Sequence, residues 1–135
     1  MISYFVAALP HFLAYFGGAV ALAVAFLFLY AKATPHREFA LIREGNAAAA
    51  TQLCGTFLGF AIPVAVVTAN AASLADMLLW SALAGLVQLL VFVVIARFLF
   101  RAISDRITEG CVASGQFVGG MSLGVGILQA ACMVP

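Results

Sequence analysis

Apolar positions run almost unbroken along four stretches of this chain, and the short segments between them hold nearly all of its charge. The first stretch runs from about His11 to Ala31, with an apolar lead-in from Tyr4. The others run from Ala47 to Ala69, from Leu74 to about Phe98, and from Cys111 to Val134. Each reaches the roughly 20 residues that a bilayer-crossing helix needs. The runs are continuous rather than alternating, which predicts helices and not a barrel. Almost nothing remains for a separate soluble unit, so the expected fold is all-α: one transmembrane domain over residues 1–135 with four membrane helices. Pro10 is placed at the first helical turn, where its missing N–H costs nothing. No basic segment precedes the first run, and Lys32 follows it directly, so it reads as a retained span and not a cleaved leader.

Composition narrows the function classes. Sixty-six per cent of the residues are hydrophobic and 8% are charged, against about 25% charged in an average soluble domain. Eleven charged side chains cannot coat a soluble enzyme of 135 residues. A net charge of +1 leaves no basic footprint for nucleic acid. The placement of the charges says more. Lys32, Arg37 and Arg43 fall in the first connection, and Arg97, Arg101 and Arg106 fall around the third. None lies elsewhere. Positive flanks stay cytoplasmic, so both termini and the Asn70–Asp76 connection are expected outside, in the periplasm.

Residues 42–65 match residues 107–130 at nine of 24 positions, among them Glu44/Glu109, Gly45/Gly110, Gly55/Gly120 and Gly59/Gly124. The chain therefore reads as two parallel helix–loop–helix repeats, about 4–69 and 74–134, related by an axis along the membrane normal. In the first copy Thr34 caps, and Pro35 opens, an amphipathic helix over His36–Glu44. Phe39 and Ile42 face the bilayer, and Arg37 or Glu38 faces water. Gly45 stops that helix and Asn46 caps the next. In the second copy Ser104 or Asp105 caps a shorter turn, and Gly110 repeats the stop.

Small residues mark the helix contacts. Gly55 and Gly59 form one GxxxG, and Gly115/Gly119 and Gly120/Gly124 form two more. In lipid, association rests on close backbone approach. The repeat pairs Gly55 and Gly59 with Gly120 and Gly124, so these are expected to meet near the axis. Phe26, Phe28, Phe92 and Phe98 read as facing lipid or another subunit, and Pro63 as a kink. Gln52, Thr56, Gln88 and Gln116 are the polar side chains that would line a path, if one exists; as helix glue, interhelical amide bonds are worth about 0.6–2 kcal/mol.

Candidate chemistry is sparse. Gly120-Met121-Ser122-Leu123-Gly124 matches the nucleophile-elbow pattern, but that motif needs a strand-to-helix turn and Ser122 lies in mid-span. Two histidines, at opposite ends, form no metal cluster. Cys54 and Cys132 read as buried hydrophobes, and Cys111 as a thiol near the cytoplasmic surface. No catalytic residue, metal or cofactor is expected. One constellation remains: Glu44 and Glu109, with Arg37, Arg43, Arg97, Arg101 and Arg106, share one surface. That surface suits anionic lipid headgroups, a cytosolic partner, or the mouth of a pore.

The run Arg43-Glu44-Gly45-Asn46-Ala47-Ala48-Ala49-Ala50, followed by Gly55 and Gly59, resembles the signature of the YjfL-type inner membrane proteins, the domain of unknown function 350 family. Residues 107–115 are a degenerate second copy, with Cys111 where the pattern favours Asn. The resemblance implies a four-span bacterial inner membrane protein and no activity. The expectation is a non-enzymatic scaffold or subunit of an envelope-maintenance assembly. It would contact membrane lipids, and would form a homo-oligomer or bind a membrane-protein partner. The alternative is a small homo-oligomeric channel or transporter.

Overall fold

The structure, a computed structural model, describes residues 1–99 and 102–133. Arg101 and the Val134 end of the expected fourth span lie outside the described residues. The fold is all-α. Its helices are α1 (Ile2–Ala33), α2 (Glu38–Arg43), α3 (Ala47–Asn70), α4 (Leu74–Val94), α5 (Ile103–Thr108) and α6 (Val112–Cys132). A π-helical turn, Ile95–Leu99, prolongs α4.

Among the described residues, three helical segments are long and apolar enough to cross a membrane: α1, α3, and α4 with its π turn. The expectation of four is corrected on that criterion. α6 is a helix of 21 residues, but its five glycines, two glutamines and two serines lower its apolarity. The first helix also differs from expectation. It begins at Ile2 and not near His11, so Pro10 lies inside it. Membrane helices tolerate an internal proline when neighbouring groups re-satisfy the freed backbone.

The connectors keep part of the expected design. Gly45 and Gly110 adopt φ of +87° and +89° and stop α2 and α5. In each case the glycine N–H bonds back to the residue three earlier, and the next N–H to the residue five earlier, a Schellman closure. Asn46 caps α3, its Oδ1 accepting from Ala49 N–H at 3.0 Å. The entry to α2 is different. Its N-cap is Arg37, with no side-chain cap bond, and the Thr34 hydroxyl donates back to the Ala31 carbonyl. Likewise Ala102, and neither Ser104 nor Asp105, precedes α5.

α3 and α6 form the centre of the bundle and run parallel. Gly115 lies on Ala48, Gly55 on Gly119, and Gly59 on Ser122 and Gly126. A Cβ at Gly55, Gly59, Gly115 or Gly126 would overlap backbone atoms of the other helix, and one at Gly119 would lie 2.7 Å from the Thr51 carbonyl oxygen. Gly120 and Gly124 are not in this contact; nothing lies within 4 Å of a Cβ built on either. The reason is helical geometry. Positions 115, 119, 122 and 126 share one face at intervals of four, three and four, whereas one residue further on is turned by about 100°. α4 packs on both central helices, and α1 packs on α4 and α3 at the edge of the bundle. Phe26 stacks on Phe60 with ring centroids 4.4 Å apart. Phe26 and Phe92 are therefore core residues and not lipid-facing ones, while Phe28 and Phe98 are exposed as expected. Pro63 is buried within α3.

Gly59→Ala and Gly115→Ala are each expected to lower stability by about 1–3 kcal/mol, because the backbones must separate. Gly124→Ala should change it by less than about 0.5 kcal/mol. Denaturation of the purified protein in detergent checks the contrast.

Candidate functional site

The polar side chains converge where α1, α3 and the α2 connector meet. Tyr30 ends the apolar run of α1, and its hydroxyl enters the bundle instead of reaching water. Gln52 and Thr56, one turn apart on α3, point at it. Gln52 Nε2 donates to the Tyr30 hydroxyl at 2.7 Å, and Thr56 Oγ1 donates to the same oxygen at 3.3 Å. The other end of the Gln52 amide closes on the connector, where Oε1 lies 2.7 Å from His36 Nε2. With Gln52 Nε2 directed at Tyr30, His36 Nε2 is the donor of that bond.

Glu38 completes the cluster and departs most from expectation. It was expected to face water, yet it is 1% exposed. Its Oε1 lies 3.3 Å from His36 Nε2, but neither carboxylate oxygen accepts a hydrogen bond, and His36 Nδ1 is also without one. The connector turns inward here, with His36 bonded to Gln52 of α3 and Thr34 held to Ala31 and to the His36 carbonyl. Phe92 of α4 closes the site, edge-on to both Tyr30 and His36.

Of the polar-path candidates, Gln52 and Thr56 belong to this cluster. Gln88 forms a second one: its Nε2 donates to the Gly59 and Ser122 carbonyls, each at 3.1 Å, and so ties α4 to the central pair. Gln116 is exposed, in a groove that it lines with Thr51 and Cys54 of α3. The four amide and hydroxyl side chains thus divide between two buried sets and an exposed groove.

The charged candidates assemble differently. Arg37, Arg43, Glu44, Arg97, Arg106 and Glu109 are all exposed at the connector end. Among the described residues the one ion contact is His36–Glu38, so these surface charges are not paired with one another there. The two connectors are joined by Asn46, whose Nδ2 donates to the Ile107 and Thr108 carbonyls at 2.9 and 3.2 Å. Ile103 and Ile107 of α5 are buried beneath. Cys111 holds the position after Gly110 that Asn46 holds after Gly45, and it has no amide to make the reciprocal bridge. At the opposite end, Ser73 caps α4 and the Asp76 carboxylate accepts from Ala72 N–H.

Cys54 and Cys132 are exposed and not buried. Cys111, at the start of α6, accepts from the Ser114 hydroxyl at 3.3 Å. That bond, with a Ser114 backbone bond and the nearby Arg106, holds the thiol below its ordinary range. Among the described residues no cluster of three or more His, Cys, Asp or Glu fits a metal ion.

Sequence reasoning found Gln52 and Thr56 but missed that Tyr30, His36 and Glu38 join them. The available signal was a tyrosine ending an apolar run, followed six and eight residues later by a histidine and a glutamate.

Comparison with known proteins gives one family. The profile described as "Domain of Unknown Function (DUF350)" matches residues 4–133. The chain is 43% identical over 122 residues to "UPF0719 inner membrane protein YjfL" of Escherichia coli strain K12, covering 90% of this chain and 92% of that protein. The protein of the same name from Escherichia coli O157:H7 matches equally. No solved structure matches.

Tyr30→Phe leaves the Gln52 amide and Thr56 hydroxyl without their acceptor, so a loss of about 1–3 kcal/mol is expected on denaturation; Tyr4→Phe, at an exposed site, should be neutral. For Cys111, a lowered thiol means more thiolate at a given pH and faster alkylation. Ser114→Ala removes the largest cause, so the alkylation rate plotted against pH should move to higher pH.

Proposed function

This chain belongs to the DUF350 family of inner membrane proteins, and from that premise we propose that it is a non-enzymatic membrane subunit whose connector face docks a cytosolic partner or anionic headgroups within an envelope-maintenance assembly. The observation that carries the reading is the Asn46 bridge. It fixes two connectors side by side and leaves Arg37, Arg43, Glu44, Arg106 and Glu109 exposed without partners among themselves. Charges held on a firm base and free of mutual pairing suit recognition of another charged surface.

Three further features belong to this reading. α6 crosses the membrane as a fourth helix, with Gly115, Gly119 and Gly126 packed against α3. The two halves are parallel repeats: the positive-φ glycines stand 65 residues apart, α3 and α6 run the same way, and both stops share one closure. The connectors face the cytoplasm, since six cations flank them and none lies elsewhere. We place docking ahead of a channel. Gln52, Thr56 and Gln88 bond within one chain, and Gln116 is exposed beside Thr51 and Cys54 of α3.

Two measurements test this. The triple variant Arg37→Glu, Arg43→Glu, Arg106→Glu should fold normally, since each side chain is exposed, and should lose a stoichiometric partner that the wild type retains on purification, or lose binding to vesicles of anionic lipid. Purification alone in both forms, with no vesicle binding and measurable ion flux in liposomes, contradicts the docking reading. An impermeant thiol reagent should reach Cys111 only from the cytoplasmic side and Ser73→Cys only from outside; the reverse pattern overturns the orientation.

A further inference from the structure

The polar ties between α3 and its neighbours stop half-way along the helix, at a place remote from the charged connectors. From the connector end, Asn46 bonds to the α5 carbonyls, Gln52 and Thr56 bond to Tyr30, and the Gly59 carbonyl accepts from Gln88. Beyond Gly59 the side-chain bonds turn back on α3 itself. The Thr68 hydroxyl donates to the Val64 carbonyl at 2.7 Å, and Asn70 Nδ2 to the Val66 carbonyl at 2.8 Å. The glycine contact with α6 ends at the same place, since Gly59, against Ser122 and Gly126, is the last glycine of α3. Pro63 lies one turn further on. It has no N–H, so it cannot supply the intrahelical bond to the Gly59 carbonyl four residues earlier. Gln88 Nε2 stands in for it, 3.1 Å from the Gly59 oxygen, and the same nitrogen reaches the Ser122 oxygen of α6 at 3.1 Å. Two carbonyls fix the amide with its nitrogen towards them, and Gln88 Oε1 is buried without a partner. One nitrogen therefore carries the whole attachment.

We propose that the step from Gly59 to Pro63 is a hinge in α3 and that Gln88 is its latch. Helices bend where a proline removes a backbone bond, and membrane helices keep such a proline when a neighbouring group satisfies the freed carbonyl. Here that group is a side chain of another helix, which can leave. The outer half of α3, residues 63–70, has space on both sides. Towards α1 it lines a groove of about 680 Å3, with Ala61, Val64 and Ala65 on α3 and Phe12, Phe16 and Ala19 on α1. Towards α4 and α6 it borders an outer crevice of about 270 Å3, at Val67, Asn70, Trp80 and Met133. With the latch open, this half swings into the larger space, which narrows the groove and widens the crevice. The bundle thereby has a second conformation at its outer end. The inference rests on the missing proline bond and is independent of docking at the surface charges.

Pulsed electron paramagnetic resonance on the full chain in lipid nanodiscs tests it. Spin labels go on Ala8→Cys and Ala69→Cys, which line the groove from α1 and α3, in a background of Cys54→Ala, Cys111→Ala and Cys132→Ala. With Gln88 and Pro63 both present, the longer distance should predominate. Gln88→Met keeps nearly the size of the side chain and removes its N–H, so it should raise the population of a shorter distance several-fold. Pro63→Ala returns the backbone donor to Gly59. Alone it should keep the longer distance, and combined with Gln88→Met it should remove the shorter one. Likewise the drop in melting temperature caused by Gln88→Met should be at least halved when Pro63→Ala is present. Unchanged distances in Gln88→Met, or a shorter distance that survives Pro63→Ala, overturn the hinge. Equal drops in melting temperature with and without Pro63→Ala make Gln88 ordinary helix glue and overturn the latch. If Gln88→Met alone does not fold, rescue of folding by Pro63→Ala supports the latch, and failure of the combined variant to fold overturns it.

Discussion

Backbone contact between α3 and α6 is the constraint on which the rest of this structure depends. In a bilayer, apolar side chains gain little by leaving lipid for one another, so two helices associate through close packing and hydrogen bonds. Here Gly55, Gly59, Gly115, Gly119 and Gly126 remove the side chains that would hold the helices apart. The approach exposes carbonyl oxygens of both helices to a third partner. Gln88 on α4 uses this, donating to the Gly59 and Ser122 carbonyls of the central pair. One side chain thereby fixes the position of α4 against two helices at once, and α1 is seated in turn by the Phe26–Phe60 stack and the Tyr30 hydroxyl.

The parallel central pair also determines what happens at the connector end. Both helices begin there, so both need an N-terminal cap and a preceding stop in the same plane. Gly45 and Gly110 supply the stops. Asn46 caps its own helix with one end of its amide and bonds the other connector with the other. Exposed charge and buried charge are then sorted by the same short loop: Arg37 points out, while His36 and Glu38 on either side of it turn inward onto α3.

Much of this was legible in the residue pattern. Long apolar runs gave the helices of the bundle, because the bilayer requirement is one of length and composition. Glycine at 45 and 110 and asparagine at 46 gave the caps, because those roles depend on local backbone geometry. What failed to appear depended on rotation about a helix axis or on tertiary contact. Gly120 and Gly124 align with Gly55 and Gly59 in the internal match, yet Gly115 and Gly119 face α3, since one residue changes the direction of a side chain by about 100°. The inward turn of Glu38 goes with a tertiary contact, His36 on Gln52 of α3, that composition does not decide. Phe26 and Phe92 look like lipid-facing aromatics by type, and only the partners Phe60 and Tyr30 place them in the core.

Magic-angle-spinning NMR on glycine-labelled protein in lipid bilayers reads directly which glycines touch. Through-space correlations joining Gly55 to Gly119 and Gly59 to Gly126 are expected, with none joining Gly59 to Gly124. Correlations joining Gly55 to Gly120 and Gly59 to Gly124, with the first pair absent, would contradict the account.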